Sequence, residues 1–151
     1  MAKSRNKQFI YNTVIEWQRE LKGLLSSSGK PNIEIATPPE FRGHPEIWSP
    51  EDLFVASVNS CIMTTFLYYA QRNNLNFSDY KSEAPGILEM QEGRFTFTEI
   101  KVKPEITVGA QQDYDLAREF INKAEKACSI SNSIKSKVSI ESQIIIKKIG
   151  K

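Results

Sequence analysis

The stretch SPEDLFVASVNSCIMTTFLYYA, from Ser49 to Ala70, decides the fold. Ser49 stands as an N-cap, Pro50 takes the first helical position, and Asp52 completes a capping-box-like S-x-x-D. The spacing predicts a helix to about Arg72, where Asn73 and Asn74 end it. From Leu53 to Gln71 nineteen residues carry no charge, about the length of a membrane span. Ser57, Asn59, Ser60, Thr64 and Thr65 dilute that stretch, and nothing else in the chain resembles a span. The pattern therefore reads as a central helix buried by protein on all sides. On a wheel at about 100° per residue, Ala56, Ser57, Ser60, Cys61 and Thr64 gather on one side. Phe54, Val58, Ile62, Phe66 and Tyr69 take the other, which puts Cys61 at the border between a small and a bulky side.

Upstream of this helix, Phe9 to Trp17 is rich in aromatic and β-branched residues, and Asn32 to Thr37 alternates cleanly, so both read as strands. Gly23 and the Ser26 to Pro31 stretch supply turns between them, which predicts an antiparallel meander. GLLSSSGK, Gly23 to Lys30, is not a phosphate-binding loop: five residues separate its glycines, and Pro31 follows the lysine where a Ser or Thr would hold magnesium. Thr37 to Trp48, with three prolines and a glycine, reads as a surface loop. Downstream, Phe77 to Met90 and Arg94 to Val108 read as strands joined by a hairpin turn at Gln91, Glu92 and Gly93. A second helix is expected from about Asp113 to Ala127, with Leu116, Ala117, Phe120, Ile121, Ala124 and Cys128 on one face, and Val138 to Lys148 as a final strand. The order β-β-α-β-β-α-β indicates an α+β protein, one domain over residues 1–151.

Composition narrows the function. Twenty basic against 18 acidic residues is too even a balance for a general nucleic-acid binder. The basic cluster Lys3, Arg5 and Lys7 reads as a solvated end. MAKSRNKQF has charges with no apolar stretch behind them, so no secretory signal is expected and the protein is placed in the cytoplasm, not in a membrane. In that reducing compartment the two cysteines, Cys61 and Cys128, are either buried apolar fillers or a redox or ligand pair. The single histidine, His44, lies in the proline-rich loop, and its spacing from the cysteines matches no zinc pattern and no recognisable cysteine-histidine hydrolase motif. Neither a metal nor a cofactor is expected.

Apolar burial alone makes a thiol inert, so a reactive Cys61 needs a nearby cation or hydrogen-bond donors to hold its thiolate. Cys128 closes the second helix on its apolar face, followed by Ser129 and Ser131. The residue pattern alone permits either two fillers or a couple.

The motifs carry a resemblance. Ser49 to Ala70, with S-P-E, then L-F and small residues, then Cys61 ten positions after Glu51, resembles the central helix of the OsmC/Ohr (organic hydroperoxide resistance) family. KAEKACSISNSIKSKV, Lys123 to Val138, resembles its second cysteine segment, and the P-P-E-F-R-G loop and the strand order extend the likeness over nearly the whole chain. The resemblance implies an OsmC-like fold of antiparallel sheets around two central helices, in an intertwined homodimer. It implies a peroxidase in which Cys61 attacks an organic hydroperoxide and becomes a sulfenic acid, and Cys128 resolves it to a disulfide. A dithiol reductant, in the family typically a lipoylated protein, would restore the thiols. Glu51 matches the family's carboxylate that pairs with an arginine. Arg19 occupies the place of that arginine, though in W-Q-R-E-L-K without the family's glycines, and Arg42 in the loop before the helix is the alternative. Ser129 stands where a proline commonly follows the second cysteine. Two other readings remain: a noncatalytic dimer of the same fold that binds an apolar ligand, and a thiol redox sensor.

Overall fold

The computed structural model describes residues 6–148, so Lys3 and Arg5 of the basic cluster lie outside the described residues. The chain forms two compact units, Met1–Leu53 and Phe54–Lys151.

The first unit holds the meander. Strand β1, Val14–Arg19, pairs antiparallel with β2, Lys22–Ser26, which pairs antiparallel with β3, Ile33–Ala36. The expected first strand thus starts late, since residues 6–13 are exposed and lie outside any strand. The expected turn at Gly23 is corrected too. Gly23 sits inside β2 between Trp17 and Ile35, and a Cβ there would come within 3.1 Å of the Glu16 carbonyl oxygen. The glycine serves a close approach of backbones. The turn falls at Glu20, which adopts the left-handed conformation with φ 48°. The proline-rich loop is irregular apart from one 3-10 turn, Pro39–Phe41, and rejoins the meander through the Ala36 N–H, which donates to the Trp48 carbonyl at 2.9 Å.

Helix α1, Pro50–Arg72, starts and stops where its residues dictate. The Asp52 N–H donates to Ser49 Oγ at 3.0 Å while the Ser49 N–H donates to Asp52 Oδ2 at 2.9 Å, a reciprocal capping box. At the other end Asn74 turns left-handed with φ 52°. The hydroxyls that dilute the apolar stretch are satisfied within the helix: Ser60 donates to the Ala56 carbonyl at 2.7 Å, and Thr65 to that of Cys61 at 2.8 Å. Burial on all sides is not what the single chain provides. Val58, Ile62, Phe66 and Ala70 form one buried strip at four-residue spacing, while Ser60, Thr64 and Tyr68 are exposed.

In the second unit everything is organised on β6, Arg94–Val108. Strands β4, Phe77–Glu83, and β5, Gly86–Gln91, run antiparallel to it and keep one register from Asp79 to Ile87, with irregularities at Phe77/Asp79 and Ile87/Leu88, so the single strand expected over residues 77–90 is interrupted only at Ala84 and Pro85. The Pro85 carbonyl still accepts from the Lys101 N–H at 3.0 Å. The expected final strand also divides, into β7, Lys137–Ile140, and β8, Gln143–Ile146, both parallel to β6. The gap lies between the partners of Val102 and Glu105, where β6 carries the buried Pro104, a residue with no N–H to give. The inward residues of β6, Ile100, Val102, Ile106 and Val108, join the α1 strip and helix α2, Gln111–Ala127, in one core. From α2 come Ala117, Phe120, Ile121 and Ala124, with Cys128 just beyond its end, as the apolar spacing requires. The fold is α+β, as expected.

Candidate active site

The end of α2 delivers Cys128. The residue leaves helical geometry with φ −66° and ψ 113°, yet its N–H still donates to the Ala124 carbonyl at 3.0 Å, which fixes the side chain on the buried face. The chain then folds back: the Asn132 N–H donates to the Cys128 carbonyl at 3.1 Å, and Ser133 Oγ to the Ser129 carbonyl at 2.7 Å. This turn sets Ser129, Ile130 and Ser131 around two sulfurs. The Ser131 N–H donates to Cys128 Sγ at 3.4 Å.

Cys61 meets this turn from α1. Its sulfur is half-buried, 4.0 Å from Ser129 Oγ and 3.9 Å from Thr65 Oγ1. Burial pushes the Cys61 thiol up, but the Cys128 thiol, the Ile130 N–H and the Thr65 and Ser129 hydroxyls favour the thiolate and bring it below its ordinary value. Cys128 responds in the opposite sense. Burial raises it, the contact with Cys61 raises it further, and the Ser131 hydroxyl and N–H pull it back only in part. The two cysteines are adjacent and unbonded, and they divide the labour of one proton: Cys61 is poised to lose it and Cys128 to keep it. The requirement for donors beside Cys61 is met by the turn after α2, which the periodicity of the sequence could not place there.

The other candidates belong to the first unit. Glu51 lies in the first turn of α1, where the helix dipole favours an acid, and its Oε2 is buried with no hydrogen-bond partner among the described residues. Arg19 ends β1 opposite Lys22 and is exposed. Arg42 caps the 3-10 turn in the left-handed conformation, φ 64°, its N–H donating to the Pro39 carbonyl at 3.0 Å. His44 is occupied by acids, its Nε2 3.5 Å from Glu20 Oε2 and its Nδ1 3.7 Å from Glu46 Oε1. Ile130 was missed by sequence reasoning, and Ser131 was noted beside Cys128 without a role: both act on a sulfur through a backbone N–H, which no side chain announces.

The chain is similar to several known proteins. The family model of OsmC-like proteins matches residues 43–143. The uncharacterized protein YmaD of Bacillus subtilis is 28% identical over 123 residues, covering 80% of this chain and 82% of its own. An OsmC-like protein of unknown function from Vibrio cholerae superposes with a TM-score of 0.82 at 20% identity, over 90% of this chain and 100% of that one. An organic hydroperoxide resistance protein from Elizabethkingia anophelis superposes with a TM-score of 0.71 at 17% identity, over 93% and 99% of the two chains.

Proposed function

This chain belongs to the OsmC-like protein family, and on that premise we propose that it is a thiol peroxidase reducing organic hydroperoxides to alcohols. The observation that carries the reading is the convergence of two free cysteines, with the Thr65 and Ser129 hydroxyls about the Cys61 sulfur and the Ser131 N–H on Cys128, an arrangement that favours the thiolate at Cys61 and the thiol at Cys128. A filler pair in an apolar core would have both thiols raised by burial.

Cys61 thiolate attacks the terminal peroxide oxygen, the O–O bond breaks, and the alkoxide leaves to take a proton, so Cys61 becomes a sulfenic acid and the substrate an alcohol. Cys128 then attacks the Cys61 sulfur. The S–O bond breaks, the departing hydroxide and the Cys128 proton make water, and a Cys61–Cys128 disulfide remains. An external dithiol, of the kind a lipoylated protein carries, reduces it. Glu51 is assigned the positioning of an arginine, because a buried carboxylate oxygen without a donor calls for a cation. Arg19 is the preferred cation and Arg42 the alternative.

The proposed working form is a cytoplasmic homodimer in which each subunit is one OsmC-like domain. Trp17 is 78% exposed and Tyr11 92%, and the Ser60, Thr64 and Tyr68 side of α1 is uncovered, which supports a second copy as the missing cover. The test of the activity is single-turnover oxidation of the reduced protein by cumene hydroperoxide. Consumption of Cys61 orders of magnitude faster than a free thiol is expected. Ordinary thiol rates would leave the noncatalytic or the sensor reading.

A further inference from the structure

We infer that Ser131 is a donor to the resolving sulfur whose effect prevails only after Cys61 has been oxidised; the inference rests on the peroxidase reading above. Its hydroxyl oxygen is buried and completes no hydrogen bond among the described residues, yet it lies close enough to Cys128 to favour that residue's thiolate. A buried hydroxyl left short of a full hydrogen bond is unfavourable, so its position calls for a role. The same residue's N–H already donates to Cys128 Sγ at 3.4 Å, and its hydroxyl acts on Cys128 and not on Cys61.

The groups that act on Cys128 are Cys61 from α1 and Ser131 from the turn. In the reduced protein they oppose each other. The Cys61 thiolate accepts from the Cys128 thiol and holds its proton in place, while the Ser131 hydroxyl and N–H favour its loss. Attack on the hydroperoxide converts Cys61 to a neutral sulfenic acid, which ends both its demand for the Cys128 proton and its repulsion of a second thiolate. Burial then remains the only opposing influence, and Ser131 stabilises the Cys128 thiolate at the step that needs it. The Cys128 proton ends in the water released as the S–O bond breaks, so no further reactant is required. The order of events follows: while Cys61 is a thiolate, Cys128 is the proton donor, and once Cys61 is oxidised, Cys128 is the nucleophile.

The experiment compares Ser131→Ala and Ser131→Thr with the unaltered full chain. Reduced protein is mixed with cumene hydroperoxide, sulfenic acid is trapped with dimedone and counted by mass spectrometry, and disulfide is read as loss of the second thiol. Ser131→Ala is expected to accumulate sulfenic acid and to close the disulfide roughly tenfold more slowly, the order expected when one hydrogen bond to a charged group is lost. Ser131→Thr, which keeps the hydroxyl, is expected to restore closure. Closure at the unaltered rate in Ser131→Ala overturns the inference. A second readout needs no peroxide: in the Cys61→Ser background, the ultraviolet thiolate absorbance of Cys128 is titrated with Ser or Ala at position 131. A higher midpoint with Ala supports the assignment and equal midpoints refute it. Should the unaltered protein form no sulfenic acid, the peroxidase reading fails alone and the titration still decides Ser131.

Discussion

A thiol packed against apolar side chains holds its proton, and Cys61 departs from that rule because four hydrogen-bonding groups reach its sulfur from two directions. Three of them, the Cys128 thiol, the Ile130 N–H and the Ser129 hydroxyl, come from the segment closing α2. Replacing Cys128 with Ala removes the strongest of these. The Cys61 pKa should then rise toward that of a free thiol, and the pH profile of iodoacetamide alkylation at Cys61 should move to higher pH. The sign follows from the thiolate being the nucleophile: a lowered pKa leaves the thiolate populated at neutral pH, and reactivity is lost as pH falls through that lowered value. An unmoved profile in Cys128→Ala would remove the coupling on which the site is built. Ser129 makes the same point more weakly, since proline at that position carries no hydroxyl. Ser129→Pro should shift the profile in the same direction by less.

At the scale of elements, α1 is held by its cap and by its fit to the sheet. Ser49 is buried and both halves of its capping box are formed, so Ser49→Ala should cost about 1 kcal/mol of stability in urea unfolding. Its approach to β5 is closer still. A Cβ on Gly86 would lie 2.6 Å from Val55 Cγ2 and 3.3 Å from the Phe97 ring. Gly86 itself is exposed, but the β-branched Val55 would have to move, so Gly86→Ala should cost about 1 kcal/mol, the low end of the range for overpacking, and Val55→Ala in the same chain should recover part of it. Failure of that rescue would mean that the glycine serves some other purpose. The element boundaries show where sequence reasoning works. The start and end of α1 and the hairpin at Glu92 and Gly93, with φ 49° and 77°, were readable because the signals are local. Strand β2 was missed because Gly23 reads as a turn until Glu16 and Ile15 are brought against it. The breaks opposite β6 were missed for a related reason: an isolated proline does not reveal which partner strand lacks its N–H.

For the whole molecule, the exposure of large apolar side chains is the feature that a single chain does not explain. Phe9, Ile10, Tyr11 and Trp17 are each more than three-quarters exposed, and β1 is exposed along its whole length. The homodimer proposed above predicts twice the chain mass in sedimentation equilibrium at micromolar concentration. Trp17→Glu should weaken that association without unfolding the core of the second unit, whose buried residues all lie beyond Leu53. A monomeric unaltered protein would contradict the proposal. What the sequence determined by itself was whatever depends on near neighbours: the capping box at Ser49, the four-residue strip of α1, the apolar face of α2 that ends on Cys128, and the two motifs that marked the family. What only the tertiary structure decided was the meeting of elements far apart in the chain. Cys61 and Ser129 are separated by 68 residues, and the hydrogen bonds that favour one thiolate over the other exist only once α1 and the turn after α2 share a core. Periodicity can say that a residue faces inward. Which donor waits for it there is set by packing.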